Sequence, residues 1–226
     1  MNETLTARAA LSFGWETFKK RPWFFVGAFA VVMLASIAVN IAGSIVGSIL
    51  GEHAKDILDP LVSWTVNIFA GIGFTMLYLS AHDAIAQTTL GTLWYPKPFW
   101  RYLGLSIVMT VALILGFLAL IIPGIILALA FSFAAPLVVE KDLGPIEALK
   151  ESMRLTKGHR WMLLRLALLS VLVNILGLCA LIVGVLATAP VTALAFIHAY
   201  RVLSGTSANS STTEEAAPTL PTEAVA

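Results

Sequence analysis

The amino-acid sequence predicts an all-α polytopic membrane protein, with six transmembrane helices arranged as three hairpins and with amphipathic helices at the interface. Of its 226 residues, 58% are hydrophobic and only 12% are charged, about half the charged fraction of a soluble domain. Four long segments contain no charged residue, and each exceeds the about 20 apolar residues that a spanning helix needs. Almost all of the lysines and arginines lie where successive crossings would bring them to one side of the membrane.

The lengths of the four uncharged segments set the number of spans. The last two are too long for one crossing, so each is predicted to fold into two helices. Pro123-Gly124 is the turn signal in the third segment, because proline lacks an N–H donor and glycine permits a reversal. Gly184 is the expected corner of the fourth, with Pro190 inside the final helix. Six spans follow, at about 23–49, 60–80, 102–122, 124–140, 161–183 and 185–203.

Short segments flank this membrane domain, 23–203, on both sides. Residues 1–22 are predicted to form an amphipathic N-terminal helix at the interface, with Leu11, Trp15 and Phe18 as its apolar stripe. Residues 204–226 are rich in Ser, Thr, Ala and Pro. We expect this last segment to be a disordered cytoplasmic tail.

The basic residues predict the orientation. With the N-terminus inside, thirteen of the fourteen lysines and arginines lie on or near the inner side, and only Lys55 faces out. Basic residues are enriched on the cytoplasmic side of membrane proteins. Both termini are therefore expected to be cytoplasmic.

An amphipathic segment between spans four and five is the most charged part of the chain. Pro145 suits a first helical position and Gly158 a stop, so a helix is predicted over 145–157. Its apolar side chains are expected to face the bundle or the acyl chains, and its basic side chains the anionic lipid headgroups. This candidate docking helix comprises Ile146, Leu149 and Met153 on the apolar face and Lys150, Arg154 and Lys157 on the basic face. A topology anchor is the favoured interpretation, and a docking or gating element is the alternative.

Three asparagines form a candidate polar cluster within the membrane. Counted from the span ends, Asn40, Asn67 and Asn174 all fall in the outer half of the bilayer. Hydrocarbon offers an amide no partner, so we expect the three to point into the bundle and at least two to meet. They either join helices, which is the favoured interpretation, or line an outward-facing pocket for a polar headgroup or neutral solute.

A glycine stripe is predicted to pack one helix closely against another. Gly43, Gly47 and Gly51 follow a four-residue spacing at the end of the first span. Such a stripe of small residues lets two helix backbones approach.

No catalytic, cofactor-binding or metal site is predicted. His82-Asp83 is the most tempting pair, but no nucleophile or further ligand stands near it in sequence. Cys179 is the only cysteine, which excludes an internal disulfide and a cysteine-based zinc site. The net charge of +1 argues against a nucleic-acid partner.

The stretch from Ile121 to Trp161 resembles the membrane-domain family named after glycerophosphoryl diester phosphodiesterase and related uncharacterised six-span inner-membrane proteins of bacteria. The shared motifs are a Pro-Gly turn, AAPLVV, G-P-I-E-A-L-K-x-S and T-K-G-x-x-W, which fall here on Pro123-Gly124, Ala134 to Val139, Gly144 to Ser152 and Thr156 to Trp161. The resemblance implies a six-helix bundle in the bacterial plasma membrane. It supplies no activity, because no counterpart of the family's catalytic barrel is expected in this sequence.

Two functions remain open. The leading hypothesis is a non-enzymatic scaffold or accessory protein that acts on lipids or partner proteins in the inner membrane, or that associates with itself. The alternative is a carrier or channel for a neutral or lipidic solute. A tightly packed interior favours the first, and a wide polar cavity between the hairpins favours the second. No carboxylate lies near the middle of a span, which makes proton-coupled transport improbable.

Overall fold

The computed structural model describes residues 6–94, 97–179 and 182–215, and every regular element within these ranges is helical. In chain order the elements are α1 (Ala7–Lys20), α2 (Pro22–Leu50), α3 (Glu52–Ala84), a 3₁₀ helix (Leu90–Leu93), α4 (Phe99–Ala119), α5 (Ile121–Ala130), α6 (Ala134–Lys141), α7 (Pro145–Thr156), α8 (Arg160–Cys179) and α9 (Ile182–Glu215).

Six helical stretches are long and apolar enough to cross a membrane. They are Pro22–Leu50, His53–Ala84, Phe99–Ala119, Ile121–Lys141, Arg160–Cys179 and Gly184–Gly205. The predicted fold class, an all-α protein with six candidate spans, is thereby confirmed. Consecutive spans pack as neighbours within each hairpin: α2 with α3, α4 with α5, and α8 with α9.

The turn of the first hairpin lies at Gly51, between α2 and α3. Its φ of 104° is in the region that favours glycine, and a Cβ built on it would meet nothing within 4 Å. The predicted packing role of Gly51 is therefore wrong, because this glycine makes the turn. Helix α3 starts directly after it and carries Pro60 inside the helix, so the second span begins earlier than predicted.

The turn of the second hairpin lies at Leu120, three residues before the predicted Pro123-Gly124. Leu120 is extended, with φ −172° and ψ 155°, while Pro123 falls in the first turn of α5, where a missing N–H costs no helical hydrogen bond. The predicted turn is therefore wrong in position. The fourth span is also not one helix, because α5 ends at Ala130 and α6 begins at Ala134.

The last hairpin differs from the prediction at both of its ends. Gly184 lies inside α9 rather than at a corner, and a Cβ on it would stand 2.1 Å from the Gly177 carbonyl oxygen of α8. It is a point of close helix contact, and residues 180 and 181, between α8 and α9, lie outside the described ranges. Pro190 lies inside α9, as expected, and α9 runs on to Glu215. Helix thus replaces the first part of the predicted tail, and residues 216–226 lie outside the described ranges.

The N-terminal helix α1 packs against α9 and does more than rest on the surface. It begins after Thr6, whose hydroxyl accepts a hydrogen bond from the Ala9 N–H at 3.2 Å. Gly14 is the point of closest approach: a Cβ there would lie 2.3 Å from the Val191 carbonyl oxygen. Any side chain at this position would push α1 off α9.

The helix ends that carry most of the basic residues meet at one end of the bundle. Arg21 donates to the Ile85 carbonyl at 3.0 Å, and Arg101 lies 2.9 Å from Asp142. Helices α1 and α7 lie at this end too, and we call it the basic end. Its rim carries the exposed tryptophans Trp23, Trp94, Trp100 and Trp161, a residue type enriched at membrane–water interfaces.

Candidate functional site

Helix α7 is docked into the bundle at the basic end. Pro145 occupies its first turn, and the Glu147 carboxylate accepts from the Gly144 N–H at 3.1 Å. Its fully or nearly fully buried face comprises Ala148, Leu149, Ser152, Leu155 and Thr156. Helix α7 is therefore packed into the bundle along one whole face and does not merely lie on the surface.

The buried face of α7 is rotated from the predicted one. Leu149 is buried as expected and Met153 is half-buried, but Ile146 is 52% exposed, so its predicted inward position is wrong. The predicted basic residues Lys150, Arg154 and Lys157 are exposed. The Arg154 guanidinium is hydrogen-bonded to Glu151, and this bond holds the pKa of that carboxyl below its usual value. Lys150 and Lys157 are exposed to anionic groups, whereas Arg154 is already paired with Glu151.

Ser152 connects α7 to the break in the fourth span. Its hydroxyl donates to the Ala130 carbonyl at 2.7 Å and accepts from the Phe133 N–H at 3.1 Å. The Ala134 N–H bonds to the Phe131 carbonyl instead of the Ala130 carbonyl. The break therefore leaves two backbone groups without a helical partner, the Ala130 carbonyl and the Phe133 N–H. Ser152 is fully buried and supplies the partner that each group lacks.

The three predicted asparagines fall into two separate hydrogen-bonded sets. In the first hairpin, the Ser63 hydroxyl donates to Asn40 Oδ1 at 2.6 Å, and Asn67 Nδ2 donates to the Ser63 carbonyl at 2.8 Å. Asn40 and Asn67 thus meet through one serine. Asn67 is exposed, which makes its predicted inward position wrong.

The third asparagine joins the two helices of the last hairpin. Asn174 of α8 donates to the Thr192 hydroxyl at 3.2 Å and accepts from the Thr188 hydroxyl at 3.1 Å. Both partners belong to α9, so Asn174 lies with them and not with Asn40 or Asn67. The three amides do not form one pocket.

Two of the three predicted packing glycines lie at the α2–α3 contact. A Cβ on Gly43 would stand 3.2 Å from Val62, and one on Gly47 would stand 3.0 Å from the Lys55 Cα. Both distances are tighter than ordinary contact. Helix α3 therefore approaches α2 most closely beside these glycines.

A charged cluster at the basic end joins α6, α3 and α9. Arg201 of α9 donates to Asp83 of α3 and to Glu140 of α6. The buried Tyr200 donates its hydroxyl hydrogen bond to the second Glu140 oxygen at 2.6 Å. Two carboxylates against one guanidinium leave one net negative charge.

Two histidines extend this cluster toward α1. His82 Nδ1 lies 3.2 Å from Asp83 Oδ1, and His82 Nε2 lies 3.2 Å from His198 Nδ1. The Phe13 ring of α1 stacks on His198, with ring centroids 4.3 Å apart, and lies 4.8 Å from His82. One chain of hydrogen bonds therefore runs from His198 of α9 to His82 and Asp83 of α3, and through Arg201 of α9 to Glu140 of α6. Helix α1 packs against it through Phe13.

The amino-acid sequence does not predict this cluster, because its members are far apart in the chain. The sequence suggests His82-Asp83 as a pair, but their partners are 116 and 118 residues away. A usable signal existed: His198 and Arg201 are three residues apart on one helix, and each member lies at the basic end of its span. Ser152 belongs to the G-P-I-E-A-L-K-x-S motif. The apolar spacing of that helix gives no sign that the serine side chain is buried and bonded to another helix.

Two clefts lie on the sides of the bundle. The first, of ≈ 490 Å³, is formed by α2, α3 and the 3₁₀ helix, and the second, of ≈ 600 Å³, by α8 and α9. Apolar side chains dominate both linings. The linings contain the exposed side chains of Val31, Val39 and Trp94 in the first and of Val171, Ile175 and Leu178 in the second, so both clefts open toward the surroundings of the bundle.

Comparison with known proteins identifies the family. The model of a domain of unknown function, DUF7847, matches residues 69–225, which is more than half of the chain, and the chain belongs to this family. A UPF0259 membrane protein of Pectobacterium carotovorum is 30% identical over 115 residues, which cover 46% of this chain and 46% of that protein. The chain thus spans about half the length of the curated relative it matches. No solved structure matches.

These matches support a multi-pass protein of an uncharacterised bacterial membrane family. The matched region begins at Phe69 and therefore includes the broken fourth span, α7 and the charged cluster. Helices α1 and α2 lie outside it. The sites that join α3, α6, α7 and α9 are accordingly features of the family region of this chain.

Proposed function

We propose that this member of the DUF7847 family is a non-catalytic accessory or scaffold protein of the bacterial plasma membrane, which holds a lipid in the cleft between α2 and α3. The cleft is the observation that carries the proposal. The basic end would face the cytoplasm and contact anionic headgroups. The resemblance to phosphodiesterase-associated membrane domains stays a prediction from the motifs, and it is compatible with a role beside lipid-handling proteins.

The lining of the cleft suits an alkyl chain. Its volume of ≈ 490 Å³ falls within the about 300–1,000 Å³ of small-molecule pockets. Of its lining residues only Ser36 and Thr65 carry a side-chain hydroxyl, and the Thr65 hydroxyl donates to the Leu61 carbonyl of its own helix. A polar solute would find few partners there, whereas an acyl chain needs none.

The 3₁₀ helix gives the cleft a fixed wall. The Leu93 carbonyl oxygen lies so close to α3 that a Cβ on Gly73 would stand 2.5 Å from it. Beside it, the Trp94 ring stacks on Phe69 with centroids 6.0 Å apart and an angle of 8°. A wall set by backbone contact and aromatic stacking favours a preformed groove.

The orientation belongs to the same proposal and can be tested separately. Against a Cys179→Ser background, a cysteine at Lys55 should react with an impermeant thiol reagent added outside intact cells. A cysteine at Lys150, on the exposed face of α7, should react only after the cells are opened. External labelling at position 150 would overturn the cytoplasmic placement of the basic end.

Lipid binding is tested by filling the cleft. Purified protein is mixed with dioleoyl phosphatidylglycerol in detergent, and native mass spectrometry counts retained lipids. Ala35 lines the cleft and Ala30, also exposed on α2, does not, so Ala35→Phe should lose most of the retained lipid and Ala30→Phe should keep it. Equal retention by both variants, or none by the unmodified protein, would refute the lipid site.

A carrier for a neutral or lipidic solute is the second candidate, favoured by the broken fourth span. Discontinuous membrane helices line the binding sites of many secondary transporters, and α5 and α6 are separated at 131–133. Here a buried serine fills the gap between them, which favours the accessory role. Movement of fluorescent phosphatidylglycerol across the membrane of vesicles that contain the protein would support the carrier and contradict the accessory role.

A further inference from the structure

We propose that His82 and His198, the histidine pair, bind a divalent transition-metal ion at the basic end. This site is independent of the lipid cleft. Within the described residues no group of three or more His, Cys, Asp or Glu is arranged to hold a metal ion. The proposed site is therefore a two-ligand site, and water or an external ligand completes the coordination.

The distance between the two nitrogens fits a shared metal. His82 Nε2 and His198 Nδ1 lie 3.2 Å apart. Two imidazole nitrogens at the usual 2.0–2.1 Å from a tetrahedral zinc ion are about 3.3 Å apart. Each ring only has to turn so that its lone pair points to a common centre instead of to the other nitrogen.

Asp83 orients the first ligand. A carboxylate only accepts, so the contact of 3.2 Å from Asp83 Oδ1 assigns the proton of His82 to Nδ1. The lone pair of Nε2 then faces His198. A carboxylate on the far nitrogen is the usual outer partner of a metal-bound histidine. Asp83 is itself held by Arg201, which fixes its orientation.

The second ligand is supplied by a change of tautomer. Without metal, His198 Nδ1–H donates to His82 Nε2; with metal, His198 carries its proton on Nε2 and binds through Nδ1. This change moves a proton from one nitrogen of His198 to the other and releases none. Phe13 stacks on the face of His198, and a metal ion lies in the plane of an imidazole, so Phe13 does not block Nδ1.

The ligand chemistry limits the choice of metal, because imidazole nitrogens suit zinc, copper and nickel. Because the histidine pair joins α3 to α9 and contacts α1 through Phe13, the bound ion would tie three helices together.

The test uses the full chain in detergent, without a polyhistidine tag. Calorimetry with Zn²⁺ should give one ion per chain, and Co²⁺ should give the intense visible absorption of tetrahedral coordination. His82→Gln and His198→Gln should each weaken binding at least about 100-fold, beyond the usual effect of losing an outer partner. His53→Gln and His159→Gln change exposed histidines elsewhere and should bind like the unmodified protein.

A second measurement needs no variant and does not depend on how well the variants fold. Zn²⁺ should protect His82 and His198 of the unmodified protein from diethyl pyrocarbonate, while His53 and His159 stay reactive, as read by peptide mass spectrometry. The proposal is overturned by the absence of a saturable site, by equal protection of all four histidines, or by unchanged affinity in the two pair variants.

Discussion

Ser152→Ala should destabilise the protein far more than the loss of one small hydroxyl suggests. Ser152 is fully buried, and its hydroxyl serves both edges of the break between α5 and α6. Removing it leaves the Ala130 carbonyl and the Phe133 N–H without their partner. Alanine fits the space, so steric strain does not contribute and the effect measures the two orphaned groups.

The expected cost follows from the burial of those groups. A buried backbone group that loses its partner costs about 1–3 kcal/mol, and two such groups together predict about 2–4 kcal/mol after partial relaxation. Water is the usual rescue for an orphaned group. Because the residues around Ser152 are buried on α6 and α7, such relief requires opening that contact.

The assay is reversible unfolding in mixed micelles, followed by circular dichroism as the denaturing detergent fraction rises. Ser48→Ala is the matched control, because that exposed hydroxyl donates only to the Ser44 carbonyl of its own helix. The control should stay within about 0.5 kcal/mol of the unmodified protein, as surface substitutions do. If Ser152→Ala lowered the free energy of unfolding no more than the control does, the two backbone groups at the break would have other partners. The role assigned to Ser152 would then be refuted.

Two further predictions concern helix contacts. Gly14→Ala should separate α1 from α9, since its Cβ would lie 2.3 Å from a backbone oxygen, and should cost about 1–3 kcal/mol in the same unfolding assay; Gly27→Ala, where nothing lies within 4 Å, should be neutral or stabilising by up to about 1 kcal/mol. Asn174→Leu should cost about 0.6–2 kcal/mol, because Asn174 bonds to the partner helix, whereas Asn67→Leu removes a bond within its own helix and should cost less. Equal effects of the two glycine changes, or of the two asparagine changes, would contradict the contacts assigned to them.

The asparagines show that the sequence predicts the depth of a side chain in the membrane but not its direction. Their depth could be counted from the span ends, since each residue adds 1.5 Å along a helix. Their direction could not, because it depends on the rotation of each helix about its axis. Spans that are apolar all round carry little amphipathic signal to set that rotation, and so Asn67 came out exposed while Asn174 paired with threonines.

The amino-acid sequence by itself determined that this chain is a helical membrane protein with six candidate spans, and where its basic residues gather. Those properties depend on run length and charge, which are local quantities compared with a bilayer of fixed thickness. It also placed a helix at α7 from proline, glycine and amphipathic spacing. Each of these conclusions needs only neighbours along the chain.

Only the tertiary structure decided which side chains meet. The capping of the break at 131–133 by Ser152 joins residues that are not neighbours in the chain. The contacts of His82 with His198 and of Asp83 with Arg201 join residues more than 100 positions apart. The physical reason is that a backbone group or a charge needs a partner but does not specify which one. That choice is made when the helices pack, by their rotation and by the few points, such as Gly14 and Gly184, where two backbones can touch.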